Sequence, residues 1–209
     1  MVNIDHYFDE VDRRRLQRAR ELSDLKVQLS ADSRTDPFFI KSKSAIVLSY
    51  AHWEGFHNEC TVCYIDFLKE LGGKIRDVKW LLLLGAVEGE LNSLLDRKHT
   101  FEAKCDFLEI LQGKIEATFD GFITEVVKAR SNLNFNRLKQ TYRLLGLDTT
   151  QFDRSRIRLD KELVGWRHIV AHGETPNLTS MDIAMHIDFT NELLLRLSEQ
   201  FQSAMLEKL

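Results

Sequence analysis

The chain has 209 residues, 44% of them apolar and 29% charged, proportions close to the globular average that disfavour disordered, collagenous and membrane classes. Its 29 Lys and Arg residues against 32 Asp and Glu give a formal charge of −3, which removes the bulk positive field of a protein that coats nucleic acid, so any contact with RNA or DNA must be local. Two prolines and ten glycines are too few turn formers for a sandwich or barrel of many short strands, and the expected fold class is all-α.

The length suits a single helical domain over residues 1–209, with a helical insertion at about 75–122. Met1 to Glu21 is acidic and arginine-rich where a secretory peptide needs an apolar core, and the longest apolar run, Trp80 to Leu84, is far short of the roughly 20 residues that span a bilayer. A cytoplasmic protein without a membrane segment is expected. Cys60, Cys63 and Cys105 are an odd set in a long chain and argue for thiols rather than a disulfide framework.

In chain order, the first predicted helix runs from about Asp5 to Gln28, its Arg13, Arg14, Arg15, Arg18 and Arg20 forming a solvated face partly neutralised by Asp9, Glu10, Asp12 and Glu21. The second is opened by Asp36 and Pro37 and stopped by Gly72 and Gly73. Between them Ile46, Tyr50, Trp53, Phe56, Cys60, Tyr64, Phe67 and Leu71 recur at steps of four and three, a seam long enough for the central helix of a bundle. Residues 75–122 suggest two or three shorter helices broken near Gly85, Gly89, His99 and Gly113, and a further helix spans Phe135 to Leu145, closed by Gly146. A helix from Ile157 to His172 ends at Gly173, with Pro176 behind it, and a last one starts at Thr179 and Asp182 in capping-box spacing, making a C-terminal helical hairpin.

Few constellations carry chemistry. Cys60-Thr-Val-Cys63, with His57 one turn before, has half the spacing of a zinc site, but a second ligand pair is missing and Cys60 falls in the apolar seam. Gly-rich phosphate loops, Gly-x-Ser-x-Gly elbows and His-Glu-x-x-His are absent, so neither metal nor cofactor is expected. What remains is Arg167-His-Ile-Val-Ala-His172. On an ideal helix of about 100° per residue, Leu159, Leu163, Trp166 and Val170 fall within roughly 60° of one another, leaving His168 and His172 on the opposite side. Gly165, which costs about 1 kcal/mol against alanine in a helix interior, calls for a close approach there by a second helix or a ligand. On spacing alone a surface histidine pair at i, i+4 is the favoured reading, and metal ligation by His168 and His172 is a second one for which the sequence names no third ligand.

The stretch Leu163-Val-Gly-Trp-Arg-His-Ile-Val-Ala-His-Gly-Glu174 resembles the signature of the HEPN superfamily, an arginine followed after four to six residues by a histidine. Ala45-Ile-Val-Leu-Ser-Tyr-Ala-His-Trp-Glu-Gly-Phe56 is similar to the tyrosine, tryptophan and glutamate pattern of its RiboL-PSP-HEPN branch. The resemblance implies a two-fold homodimer and an endoribonuclease that needs no metal, leaves a 2′,3′-cyclic phosphate, and serves toxin–antitoxin or phage-defence biology beside a cognate antitoxin or defence-system protein. Arg167 and His172 are then the catalytic pair, the imidazole accepting the ribose 2′-hydroxyl proton and the permanently charged guanidinium stabilising the phosphate. His168 stands where relatives often carry Asn or another small polar residue, so it either replaces that contact or alters activity. Tyr50, Glu54 and His57, at i, i+4 and i+7 of the central helix, are candidate supporting groups; Gly165 is a candidate dimer contact. Arg154, Arg156, Arg158 and Lys161 either touch RNA or form a solvated turn. Two competing readings stay open: a HEPN-like module that dimerises or docks a partner without cleaving anything, and a helical domain binding a nucleotide or small ligand.

Overall fold

The computed structural model describes residues 2–31, 40–97, 100–119, 122–128, 132–178 and 180–209. Helices α1 (Ile4–Ala31) and α2 (Ile40–Leu71) are followed by α3 (Ile75–Val78), α4 (Leu82–Asp96), α5 (Phe101–Glu116), a 3-10 turn at Thr124–Val126, α6 (Phe135–Leu145), α7 (Thr150–Asp153) and α8 (Arg156–Arg158). A π-helical segment, Leu159–Trp166, runs directly into α9 (Arg167–Ala171), and α10 (Ser180–Leu206) comes last. The fold is an all-α bundle with a long central helix and a C-terminal helical hairpin, and among the described residues no helix is long and apolar enough to cross a membrane.

The frame is a three-helix packing in which α1, α2 and α10 each contact the other two, α2 and α10 most extensively. Its seam behaves as the spacing demands: Ile46, Tyr50, Trp53, Phe56, Cys60, Tyr64 and Phe67 are buried, and only Leu71 at the end is half-exposed. Each such apolar side chain removed from water contributes about 1.5–3 kcal/mol, far more than helix propensity does, so the seam decides what α2 faces. His57, Tyr64, Tyr142, Phe152 and Phe201 interlock edge to face and stacked, with centroids 5.9–6.4 Å apart, joining α2 to α6, α7 and α10. Tyr7 donates to Glu70 (2.7 Å) and Arg18 pairs with Glu59 (2.6 Å), so α1 and α2 run in opposite directions.

Arg18 departs from the solvated arginine face. Whereas Arg13 and Arg14 pair with Glu10 on their own helix, Arg18 crosses to α2, donating to Glu59 and lying 3.2 Å from Nδ1 of His52.

Three expectations need correction. The anticipated breaks at Gly85, Gly89 and Gly113 do not occur: α4 runs through the first two and α5 through the third. A helix-interior glycine costs about 1 kcal/mol, and burial of Leu82, Leu83 and Val87 exceeds that in α4. Nor is there one regular helix from Ile157 to His172; α8, the π segment and α9 replace it, and the angular reading at 100° per residue fails across Leu159–Trp166. Finally, Leu159 and Leu163 are fully buried, but Trp166 and Val170 only partly. Asp36, Pro37, His99 and Thr179, which marked other boundaries, lie outside the described residues.

Helix ends stop where glycine can take a left-handed conformation. α6 ends at Gly146 (φ 70°), and α9 ends in a Schellman motif: Gly173 has φ 83°, its N–H donates to the Val170 carbonyl (3.0 Å), and the Glu174 N–H donates to that of Ile169 (3.1 Å). His172 is thereby held as the C-capping residue.

Candidate active site

Arg167 is the first residue of α9, and its half-buried guanidinium lies over the ring of Tyr50 on the central helix, 4.1 Å from the centroid. That distance is well inside the range for a cation–π contact. The Tyr50 hydroxyl is fixed twice, donating to Glu54 Oε1 (2.9 Å) and accepting from the Leu133 N–H (2.8 Å). Trp53 donates its indole N–H to the Leu133 carbonyl (2.9 Å), so the backbone of one buried residue is held on both sides by two side chains of α2. Burial, reinforced by the Glu54 carboxylate, pushes the Tyr50 phenol up to about 12, and it stays a neutral donor.

The segment after Leu133 ties this platform to the π turn. Asp160 Oδ1 accepts the Phe135 N–H (2.7 Å), a helix-start donor of α6 that otherwise has no partner inside its helix. Gly165 sits in the same turn: a Cβ there would lie 3.3 Å from the Asp160 carbonyl oxygen, so the close approach it permits in this chain is to its own helix.

His168 and His172 lie on the exposed side of α9, their rings edge to face with centroids 4.3 Å apart. Among the described residues no hydrogen bond or ring contact joins Arg167 to either imidazole; an α-turn separates positions 167 and 172 by about 140°. Beneath the motif, Trp166 rests on the buried ring of His186, 5.0 Å between centroids. Among the described residues neither ring nitrogen of His186 has a hydrogen-bond partner, and burial, aided by the Arg158 charge, pushes it down to about 4.

The remaining expected residues scatter. His57 is fully buried between Tyr142 and Phe201, pushed down to about 4 by burial, and does not join Tyr50 and Glu54. Arg158 is bound to Glu162 (2.6 Å) and to the Met185 carbonyl (3.0 Å), over the Phe189 ring at 4.2 Å, which occupies it in packing α8 on α10. Arg156 lies 5.8 Å from the Phe135 centroid, while Arg154 and Lys161 are exposed. Cys60 and Cys63 are buried thiols, both pushed up by burial, Cys63 to about 12. Beside α9 a shallow apolar groove is lined by Ile40, Val47, Leu48 and Val170, with Lys43 and Ser44 at its edge.

Sequence reasoning missed Asp160 and His186. A carboxylate that bonds a backbone N–H 25 residues earlier leaves no periodic trace, and His186 carried no motif spacing. A family model described as RiboL-PSP-HEPN matches residues 13–203 of the chain. No curated protein matches it, and no solved structure does.

Proposed function

The chain belongs to the RiboL-PSP-HEPN family, and from that premise we propose that it is a cytoplasmic endoribonuclease of HEPN type, independent of metal, working in toxin–antitoxin or phage-defence biology with a cognate antitoxin or defence-system protein. Residues 1–209 act as one HEPN-like domain, with residues 75–122 as a helical insertion. The observation that carries this reading is the pairing of a guanidinium held over Tyr50 with solvent-exposed imidazoles at the capped end of the same short helix.

His172 takes the proton of a ribose 2′-hydroxyl as that oxygen attacks phosphorus; the bond from phosphorus to the 5′-oxygen breaks, the leaving oxygen collects a proton from a second imidazole, and a 2′,3′-cyclic phosphate remains. Arg167 bears the charge that grows on the phosphate oxygens. Because Arg167 turns toward α2 and His172 toward solvent, a homodimer that faces two α9 helices together supplies both groups at one phosphate. The exposed apolar groove of Ile40, Val47, Leu48 and Val170 beside α9 supports such a contact, and Gly165 would be a further residue at the interface. Glu54 and Tyr50 orient Arg167, His168 is a polar contact to the substrate, and Arg154, Arg156 and Lys161 contact RNA phosphates.

Structured RNA incubated with the protein in EDTA tests this. Arg167→Ala and His172→Ala, each with wild-type circular dichroism, should lose at least about 100-fold in rate, the lower end of what acid–base catalysis supplies. Cleavage unchanged by either substitution refutes the assignment. Loss of dimer in light scattering, with unaltered cleavage, refutes the shared site.

A further inference from the structure

Among the described residues no carboxylate pairs with Arg167, whose guanidinium lies on the face of Tyr50, 4.1 Å from the centroid. Whether it reaches that ring depends on where α9 begins and how it is rotated. With five residues, Arg167–Ala171, α9 is too short to fix its own orientation, and it follows directly on the π segment Leu159–Trp166. Leu159 and Leu163 are fully buried and hold that segment on the core, but hydrophobic attraction is non-directional and specifies rotation loosely.

Asp160 supplies direction. Its Oδ1 accepts the Phe135 N–H at 2.7 Å, and its carboxylate brings negative charge to the N-terminal end of α6, where the helix dipole favours it. Helix α6 already has an N-cap of its own, since the Asn134 side chain accepts the Arg137 N–H (2.9 Å). What Asp160 adds is therefore a tie between α6 and the π segment, and Arg156, 5.8 Å from the Phe135 centroid, approaches the same residue from α8. The contacts close a circuit on Tyr50. Its hydroxyl accepts the Leu133 N–H (2.8 Å), Leu133 stands two residues before Phe135, Phe135 bonds Asp160, Asp160 stands seven residues before Arg167, and Arg167 returns to the Tyr50 ring. We propose that Asp160 is a positioning residue for Arg167: its carboxylate ties the π segment to the chain that Tyr50 holds and so brings the guanidinium over the Tyr50 ring. The catalytic weight of that placement rests on the nuclease reading, whereas the placement itself does not.

NMR of the isotope-labelled full-length protein tests this. The Arg167 Hε and Hδ signals, assigned with Arg167→Lys, should lie upfield in the wild type because of the Tyr50 ring current, and Tyr50→Leu gives their position without the ring. Asp160→Ala should move them toward that position. Asp160→Asn, whose amide oxygen still accepts the Phe135 N–H, should hold them near wild type. Asn134→Ala weakens the start of the same helix but leaves the Asp160 tie intact, so it should lower the thermal midpoint without moving the Arg167 signals. Asp160→Leu, which also lacks the acceptor, takes the place of the alanine variant should that one not fold. Arg167 signals that stay at wild-type positions in a folded variant without the acceptor, or that move as far in Asn134→Ala, overturn the proposal. RNA cleavage separates it from the reading it rests on. Asp160→Ala should cleave about 2- to 30-fold more slowly than wild type, the rate equivalent of the ring contact, and Asp160→Asn should recover most of that loss. Moved Arg167 signals with undiminished cleavage support the placement by Asp160 and refute the use of Arg167 in catalysis.

Discussion

Tyr50 performs two separable tasks, and two substitutions divide them. Tyr50→Phe keeps the ring under Arg167 and removes the hydroxyl, leaving the Leu133 N–H without its acceptor at a fully buried residue. An unsatisfied buried donor costs about 1–3 kcal/mol, whereas Glu54, half-exposed, regains water for its lost bond at little cost. Tyr50→Leu adds the loss of the cation–π contact, about 0.5–2 kcal/mol for a partly desolvated pair. Urea denaturation should therefore show Tyr50→Phe less stable by about 1–3 kcal/mol. If the guanidinium placement feeds the transition state, Tyr50→Leu should cleave RNA roughly 2- to 30-fold more slowly than Tyr50→Phe, the rate equivalent of the contact energy. Tyr50→Phe as stable as wild type would refute the clamp on Leu133. Equal cleavage by the two variants, compared well below both unfolding midpoints, would refute the positioning of Arg167 by the ring.

Two further outcomes follow from buried histidines and from the end of α9. His57 and His186, both pushed down to about 4 from an ordinary 6.5, stay neutral in the folded state while the unfolded chain protonates them, so stability is complete above pH 6.5 and falls as pH drops toward 4. Each contributes up to about 1.4 kcal/mol per pH unit in that window; urea midpoints at pH 7.5, 6 and 5 should show the slope, and His57→Gln/His186→Gln that keeps the wild-type slope would sink the argument. Gly173→Ala forces a Cβ into a left-handed conformation at φ 83°, about 1–2 kcal/mol, and loosens the turn that holds His172. The loss should appear in the urea midpoint and in cleavage, with Gly173→Asn recovering part of it; alanine behaving as wild type in both would exclude the Schellman account.

Some of this protein is written in short-range pattern. The four-and-three spacing from Ile46 to Phe67 is enough to bury one face of α2, and glycines 72, 146 and 173 end helices because their neighbours in sequence cannot take positive φ cheaply. The family resemblance is equally local, carried by a dozen residues around Arg167 and a dozen around Trp53, and the match over residues 13–203 bears it out.

Other features belong to the tertiary structure alone. The π turn at Leu159–Trp166 widens the helix just before Arg167, and no angle extrapolated at 100° per residue survives it. His57 falls on nearly the same side of α2 as Tyr50, yet seven residues carry it about 10 Å along the axis, to a level where Tyr142 and Phe201 enclose it. Arg18 and Arg158 read as surface charges because a guanidinium's partner is unknown until helices are packed; Glu59 and Met185 are remote from them in the chain and adjacent in space. Periodicity states which side of a helix is buried, but only packing states against what, and a site assembled from α2, α9 and the peptide at Leu133 depends on that second fact.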